Sequence, residues 1–380
     1  MKFTSLLLLI IASLSIFSCK SDPDPTPDPK PRETSRTVLV YMVASNSLNS
    51  AAADDIESMK IAVNNGALQD GRLLIYKVGY QSSPELQEFT PNGLVTLKSY
   101  PGVTSSVTVE AMTQVMADMK ALAPADEYGA IFWSHSTGWL SPVKTKPRTS
   151  RSWGDDKGAK MPIPDMAEAL KDTGLNFIYF DCCFMGNIET LYEFRGTTPY
   201  IVASPAEVPA DGMPYEINLQ YFFSKEADLK KIARNTYEHY NALTGADRSC
   251  VMSVYNMNAI DGVAEAAAAI LSDNNVTPEG IEYQQYGFRT SWNNFNGMFY
   301  DMGQYFESLT SDNSLLESYR KAMDSFIEYT AATPKMWDTW ELKHTSGVST
   351  YIYSEDPANG SANGYGDLAW WRDIVSPAYK

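Results

Sequence analysis

The 380-residue chain contains three histidines and four cysteines, and none of the spacings by which such residues usually hold a metal. No C-x-x-C and no H-E-x-x-H occurs, so zinc is not indicated. No G-x-S-x-G is present either, which leaves Ser134 and Ser136 beside His135 without the elbow of a serine hydrolase. Positive charge is short: 30 Lys and Arg stand against 46 Asp and Glu, a formal net charge of -16. Such a surface repels nucleic-acid phosphates and anionic lipid and draws in cations, besides keeping an exported protein soluble. Internal repeats are absent, and the long apolar run over residues 6–17 is too short to span a bilayer as a folded helix.

That run has the length of a signal-peptide core, preceded by Lys2 and closing on Ile16-Phe17-Ser18-Cys19. The closing segment is similar to a bacterial lipobox, whose cysteine is acylated and becomes the mature N-terminus; ordinary signal-peptide cleavage is the rival. Residues 1–18 therefore read as a lipoprotein signal peptide and Cys19 as the lipidation site of an exported, membrane-anchored protein, periplasmic or at the cell surface. Several acyl chains on one anchor hold stably where a single chain is marginal. Residues 19–35 repeat Asp-Pro and include Lys30-Pro31, so they cannot form a hydrogen-bond ladder and read as an extended tether. The folded domain is expected over 36–380, and with 44% apolar residues the chain can bury a large core.

Short β-branched or aromatic runs over 37–44, 73–78, 129–134, 177–180 and 200–203 alternate with helical patterns over 51–63, 108–122, 163–172 and 188–194. Continuous apolar strands alternating with helices indicate an α/β fold, a mainly parallel sheet covered on both faces. Beyond 228 the pattern turns largely helical over 228–243, 260–271, 300–309 and 315–331, interrupted by a strand over 251–255 and followed by an apolar strand over 347–353. This portion either packs on the sheet or forms a small subdomain.

Parallel sheets bind ligands at the carboxyl ends of their strands, where His135 follows one strand and Asp181-Cys182-Cys183 another. With Cys19 lipidated, Cys182, Cys183 and Cys250 remain, an odd number in an oxidising compartment, and adjacent cysteines rarely bridge each other. A cysteine that attacks a carbonyl needs a nearby base, partial exposure and N–H donors for the oxyanion. Strand position alone does not choose between Cys182 and Cys183. Of the bases, His239 lies in a charge-rich helix and His344 has no evident nucleophile nearby, which leaves His135.

Trp133-Ser134-His135-Ser136-Thr137-Gly138-Trp139 and Asp181-Cys182-Cys183-Phe184-Met185-Gly186-Asn187-Ile188-Glu189 resemble the histidine and cysteine motifs of clostripain-like cysteine peptidases, peptidase family C11 of the caspase-like clan. The likeness extends to Tyr41-Met42-Val43-Ala44-Ser45-Asn46-Ser47-Leu48, Trp153-Gly154-Asp155-Asp156 with Ile163-Pro164, Ala203-Ser204-Pro205 and residues 347–353. It implies a caspase-like α/β/α sandwich with a helical C-terminal portion, and an endopeptidase acting through a thioester acyl-enzyme. The family pattern Asp-Ala-Cys puts the nucleophile on Cys183, with Cys182 replacing the alanine and His135 as proton-transfer partner. The N–H groups of Ser136 and Cys183 are implied as the oxyanion hole, Ser136 standing where glycine is usual. The resemblance further implies cleavage after Arg, with Lys second, and Asp181 as the floor of the S1 pocket with Asp211 next. For Asp181, a carboxylate capping the following helix is the alternative. Self-processing is implied in the loop over 142–152 at Arg148 or Arg151, since Pro147 spoils Lys146 as a site. Partners are then peptides with a basic P1 residue, with no nucleic acid and no cofactor expected. Some relatives use calcium, for which Asp155 and Asp156 offer oxygen ligands. The rival function is a non-catalytic surface-binding lipoprotein on the same scaffold.

Overall fold

The computed structural model describes residues 34–80, 82–140, 153–273, 280–291, 294–355 and 357–379. Residues 1–18, expected as a signal peptide, Cys19, the expected tether up to residue 33, and the loop carrying Arg148 and Arg151 lie outside the described residues.

In chain order the first elements are β1 (Thr34–Val43), α1 (Asn49–Asn64), β2 (Arg72–Val78), β3 (Glu85–Thr90), β4 (Gly93–Ser99), α2 (Val109–Leu122) and β5 (Ala125–Trp133). There follow β6 (Trp153–Asp156), β7 (Ala159–Met161), α3 (Ile163–Leu170), β8 (Phe177–Asp181), α4 (Ile188–Glu193), β9 (Tyr200–Ala203), α5 (Tyr215–Phe222) and α6 (Leu229–Asn241). The remainder is β10 (Val251–Asn256), α7 (Ile260–Asp273), β11 (Gln285–Ser291), β12 (Asn294–Asp301), α8 (Met302–Glu307), α9 (Asn313–Phe326) and β13 (Ile327–Ala332). Three two-residue strands, β14 (Lys335–Met336), β15 (Trp340–Glu341) and β16 (Ser349–Thr350), and a short α10 (Pro357–Ala362) follow, and short helical turns at Tyr365–Asp367, Trp371–Val375 and Ser376–Tyr379 close it.

The main sheet has nine strands in the order β13-β10-β9-β8-β5-β1-β2-β3-β4. Its middle five, β9-β8-β5-β1-β2, run parallel, and the outer strands are antiparallel. In β1 alternate side chains feed two cores: Leu39, Tyr41 and Val43 face one, Val38, Val40 and Met42 the other. Burial on both faces is why the central strands are continuously apolar. Residues of α2, α3, α4, α7 and α9 fill the first core, and those of α1, α5 and α6 the second, giving an α/β/α sandwich.

The chain runs from β1 to β2 on one side and returns to β5 on the other, so strand order reverses at β1. The mouth of such a sheet lies there, at the carboxyl ends of β1, β5 and β8.

The C-terminal portion differs from its expectation. The helices are present, but the run over 315–331 divides: α9 ends at Phe326 and β13 continues as an edge strand antiparallel to β10, with Ser253 Oγ 2.9 Å from Thr330 Oγ1. Cross-strand pairing there overrides the helical pattern of the preceding residues. Strands β11 and β12 were not anticipated, the helix expected from residue 300 starts at Met302 behind its Asp301 cap, and the strand expected over 347–353 contracts to β16. Strands β10 and β13 belong to the central sheet, so the helices of the portion from 228 onward are joined to that sheet and fall in the same compact unit. Strand β1 already begins at Thr34; Arg36 anchors its start by bonding Glu127, Phe222 O and Ser224 O.

Candidate active site

Parallel pairing of β5 with β8 sets Trp133 opposite Asp181 at the last rung of both strands. His135 and Cys183 each lie two residues beyond that rung, so equal overrun carries both to one mouth. They line a common cleft of about 470 Å³ with Ser136, Asp181, Glu207, Phe288 and Trp337. This volume is in the range of small-molecule and peptide side-chain sites, roughly 300–1,000 Å³.

The histidine side rests on a network between three loops. Asn46, after β1, donates to Val43 O (3.0 Å) and Asp155 O (2.8 Å), and Ser134 Oγ donates to Val43 O (2.8 Å). His135 O accepts the N–H of Gly154 at 2.9 Å. The ring nitrogen Nε2 of His135 lies 2.8 Å from Ser47 Oγ, which leaves Nδ1 as the other ring nitrogen for proton exchange. Burial holds the imidazole below its ordinary 6.5, with Asp155 opposing and Lys160 reinforcing the shift.

The cysteine sits on a sharp turn. Phe184 takes a left-handed backbone (φ +58°) directly after Cys183, and the turn is pinned by Phe184 N–H to Ala206 O (2.9 Å) and Gly186 N–H to Ser204 O (2.8 Å). Asn187 ends it by accepting the N–H of Thr190 at 2.8 Å and capping α4. Cys182 packs into the first core at 2% exposure, whereas Cys183 is half-buried and opens on the cleft. The Cys183 thiol accepts the N–H of Val208 at 3.3 Å and points to Val208 O at 3.7 Å. Burial, and after it the Glu207 carboxylate, push that thiol up to about 12. Glu207 itself accepts Trp337 Nε1–H (2.5 Å) and the N–H of Arg289 (3.2 Å), fastening the C-terminal segments to the rim.

Ser136 is buried, and its hydroxyl donates to Met185 Sδ at 3.0 Å while accepting Gly138 N–H at 3.1 Å. Its backbone is not left-handed, so the position tolerates a side chain where glycine is usual.

Asp181 is buried on the α1/α5 face. Both oxygens accept the N–H of Met213 at 3.1 Å, and Oδ2 accepts Tyr215 OH at 2.8 Å; it does not cap the helix after Cys183. Burial pushes its carboxyl up to about 6. Gly212 stands over it in a left-handed conformation (φ +58°), and a Cβ there would fall 2.9 Å from Oδ2. Asp211 is exposed beside Gly212 and is not part of the cleft lining. Asp156 accepts Ser45 OH (2.6 Å) and Ser106 N–H (2.8 Å), and Asp155 Oδ1 accepts Gly158 N–H (2.8 Å), so both carboxylates brace loops. Among the described residues no cluster of three or more His, Cys, Asp or Glu side chains is arranged to hold a metal ion.

A sequence model of the clostripain family matches residues 40–365. The chain belongs to the clostripain family. Its fold is shared with an inactive zymogen C11 protease from Parabacteroides distasonis, 28% identical, with a TM-score of 0.77 over 90% of this chain and 98% of that one. It is shared also with a secreted C11 cysteine protease from Bacteroides thetaiotaomicron solved with an irreversible peptide inhibitor, 25% identical, TM-score 0.76, covering 90% and 99%. No curated protein sequence matches. The chain is therefore a cysteine peptidase by family, on a caspase-like α/β fold.

Ser47, Lys160, Glu207, Val208, Phe288 and Trp337 belong to this clostripain-family site and carried no role in the sequence reading. Ser47 lies in the segment 41–48 already marked by resemblance; the others come from segments without motif spacing. Among the described residues no helix is long and apolar enough to cross a membrane.

Proposed function

We propose that the protein is an endopeptidase that cleaves after Arg, with Lys second, through Cys183 and His135. The observation that carries this reading is the shared last rung Trp133–Asp181, which brings a thiol, an imidazole and a buried carboxylate to one cleft. A P1 guanidinium or ammonium entering over Gly212 meets Asp181, and its carbonyl then lies toward Cys183. Asp211, exposed beside Gly212, adds negative charge at the pocket entrance.

Both catalytic groups rest neutral, since burial raises the thiol and lowers the imidazole. The thiol proton therefore moves to His135 as the S–C bond forms, and His135 returns it to the leaving amine. The N–H groups of Ser136 and Cys183 hold the oxyanion, and water then cleaves the thioester. Ser47 fixes the ring by its hydrogen bond to Nε2.

The same proposal includes self-processing at Arg148 or Arg151 and anchoring through lipid on Cys19. Intact mass of wild type and Cys183→Ala tests the first: equal cleavage in both removes it. Cys19→Ala, if anchoring holds, moves the protein out of the membrane fraction. For the activity, fluorogenic peptides ending in Arg, Lys or Asp are incubated with wild type and Cys183→Ala. Cleavage of Arg and Lys peptides by wild type alone is expected, and no Cys183-dependent cleavage of any peptide would overturn the reading.

A further inference from the structure

The face of the sheet beneath the proposed P1 pocket holds a second carboxylate. Asp55 projects from α1, is 5% exposed, and its Oδ2 accepts the indole N–H of Trp133 at 2.7 Å. Trp133 is the residue paired with Asp181 across β5 and β8, and paired residues of neighbouring parallel strands project on the same face. Tyr215, at the start of α5, donates to Asp181 from the same side, and α1 packs on α5, where Ser58 Oγ accepts Glu216 N–H at 3.0 Å. Asp55 and Asp181 thus lie on one buried face beside Trp133 and Tyr215, and of the two carboxylates Asp181 is the one that lines the cleft, next to Gly212.

We propose that Asp55 is a specificity-determining residue of the basic P1 pocket: the Asp55–Asp181 pair holds one proton while the pocket is empty and releases it when a guanidinium or ammonium enters. This rests on Asp181 being the pocket floor.

Two buried carboxylates so placed do not both ionise without a counter-charge. Among the described residues the largest charge effects on Asp55 come from Asp181 on β8, Asp211 in the segment before α5 and Asp54 on its own helix, all acidic, and Asp55 acts in turn on Tyr215 of α5 and Tyr240 of α6. Burial first, and Asp181 next, push Asp55 up to about 8, while the Trp133 indole pulls the other way. A bound P1 cation supplies the missing positive charge, the anionic pair becomes favourable, and the proton passes to solvent. A neutral P1 side chain of the same shape supplies none and faces a protonated acid, so discrimination grows as pH rises toward 8.

The sign follows from linkage. Binding favours the deprotonated pair, so affinity rises with pH while the empty pair is protonated and levels once the pair has lost its proton on its own. For one released proton, Kd falls about tenfold per pH unit below the midpoint.

The test uses the full chain carrying Cys183→Ala, to prevent turnover, and amidated peptides ending in Arg or citrulline, titrated by calorimetry from pH 5.5 to 9. The expected result is an Arg-peptide Kd that falls about tenfold between pH 6 and 7 and levels above about pH 8, with about one proton released at pH 7 from the difference between phosphate and Tris buffers. Adding Asp55→Asn flattens the profile to within about twofold over the same range, and Trp133→Phe moves its midpoint upward by removing a donor to the Asp55 anion. An Arg preference with zero protons released, or an unchanged slope in Asp55→Asn, overturns the role of Asp55 and leaves the basic pocket standing. Equal binding of Arg and citrulline peptides at every pH overturns both. The proton count needs no change at Asp55, so it decides the matter even where Asp55→Asn fails to fold.

Discussion

Glu189, six residues after Cys183, is fully buried, yet its partners are modest: Oε1 accepts Thr350 OH at 2.9 Å and Tyr351 N–H at 2.8 Å. Burial raises its carboxyl from 4.5 to about 7. Because the folded protein holds this proton more tightly than the unfolded chain, the stability it contributes is full below 4.5 and is lost as pH rises through about 7. At about 1.4 kcal/mol per pH unit, that interval corresponds to about 3 kcal/mol at most. Glu189→Gln keeps the acceptor for Thr350 and Tyr351 and removes the ionisation. Urea unfolding at pH 5 and pH 8.5, in a Cys183→Ala background that prevents self-digestion, should show the Gln variant gaining about 2.5 kcal/mol on its parent between the two conditions. Curves whose separation changes by less than about 0.5 kcal/mol would refute the reasoning, since that is the scatter of independent effects.

Removing the hydroxyl that holds His135 Nε2, by Ser47→Ala, should lower kcat by about ten- to a hundredfold with little change in KM, and Ser47→Thr should restore most of it. Gly212→Ala places a Cβ against Asp181 and costs about 1 kcal/mol for the left-handed backbone; kcat/KM for Arg peptides should fall about tenfold or more. Glu207→Gln removes the carboxylate that raises the Cys183 thiol, so the pH profile of iodoacetamide labelling at Cys183 should shift to lower pH. An unshifted profile would show that burial alone sets the thiol.

The parallel core was legible because strands buried on both faces, such as 38–43 and 177–180, leave unbroken apolar runs between amphipathic helices. The hairpin β3–β4 was not anticipated: β4 is half-exposed, its pattern is weak, and the sequence signal available was Asn92-Gly93, where Gly93 takes a φ of +108°. Strand β13 follows a helix without a turn residue and exists because β10 offers an edge to pair with. At the site both thiols border the cleft, and they differ in exposure: Cys182 is 2% exposed within the first core, whereas Cys183 is half-buried. Asp55 and Glu207 were invisible for a different reason. Each acquires its role from a tryptophan 78 or 130 residues away, and no local spacing encodes such a contact.

Labelling with an Arg-terminated peptidyl chloromethylketone, followed by mass mapping of the modified peptide, tests the central claim most directly. The account predicts an adduct on Cys183 that persists in Cys182→Ala and is abolished or greatly slowed in His135→Ala. An adduct on Cys182, or none on the folded protein, would contradict it.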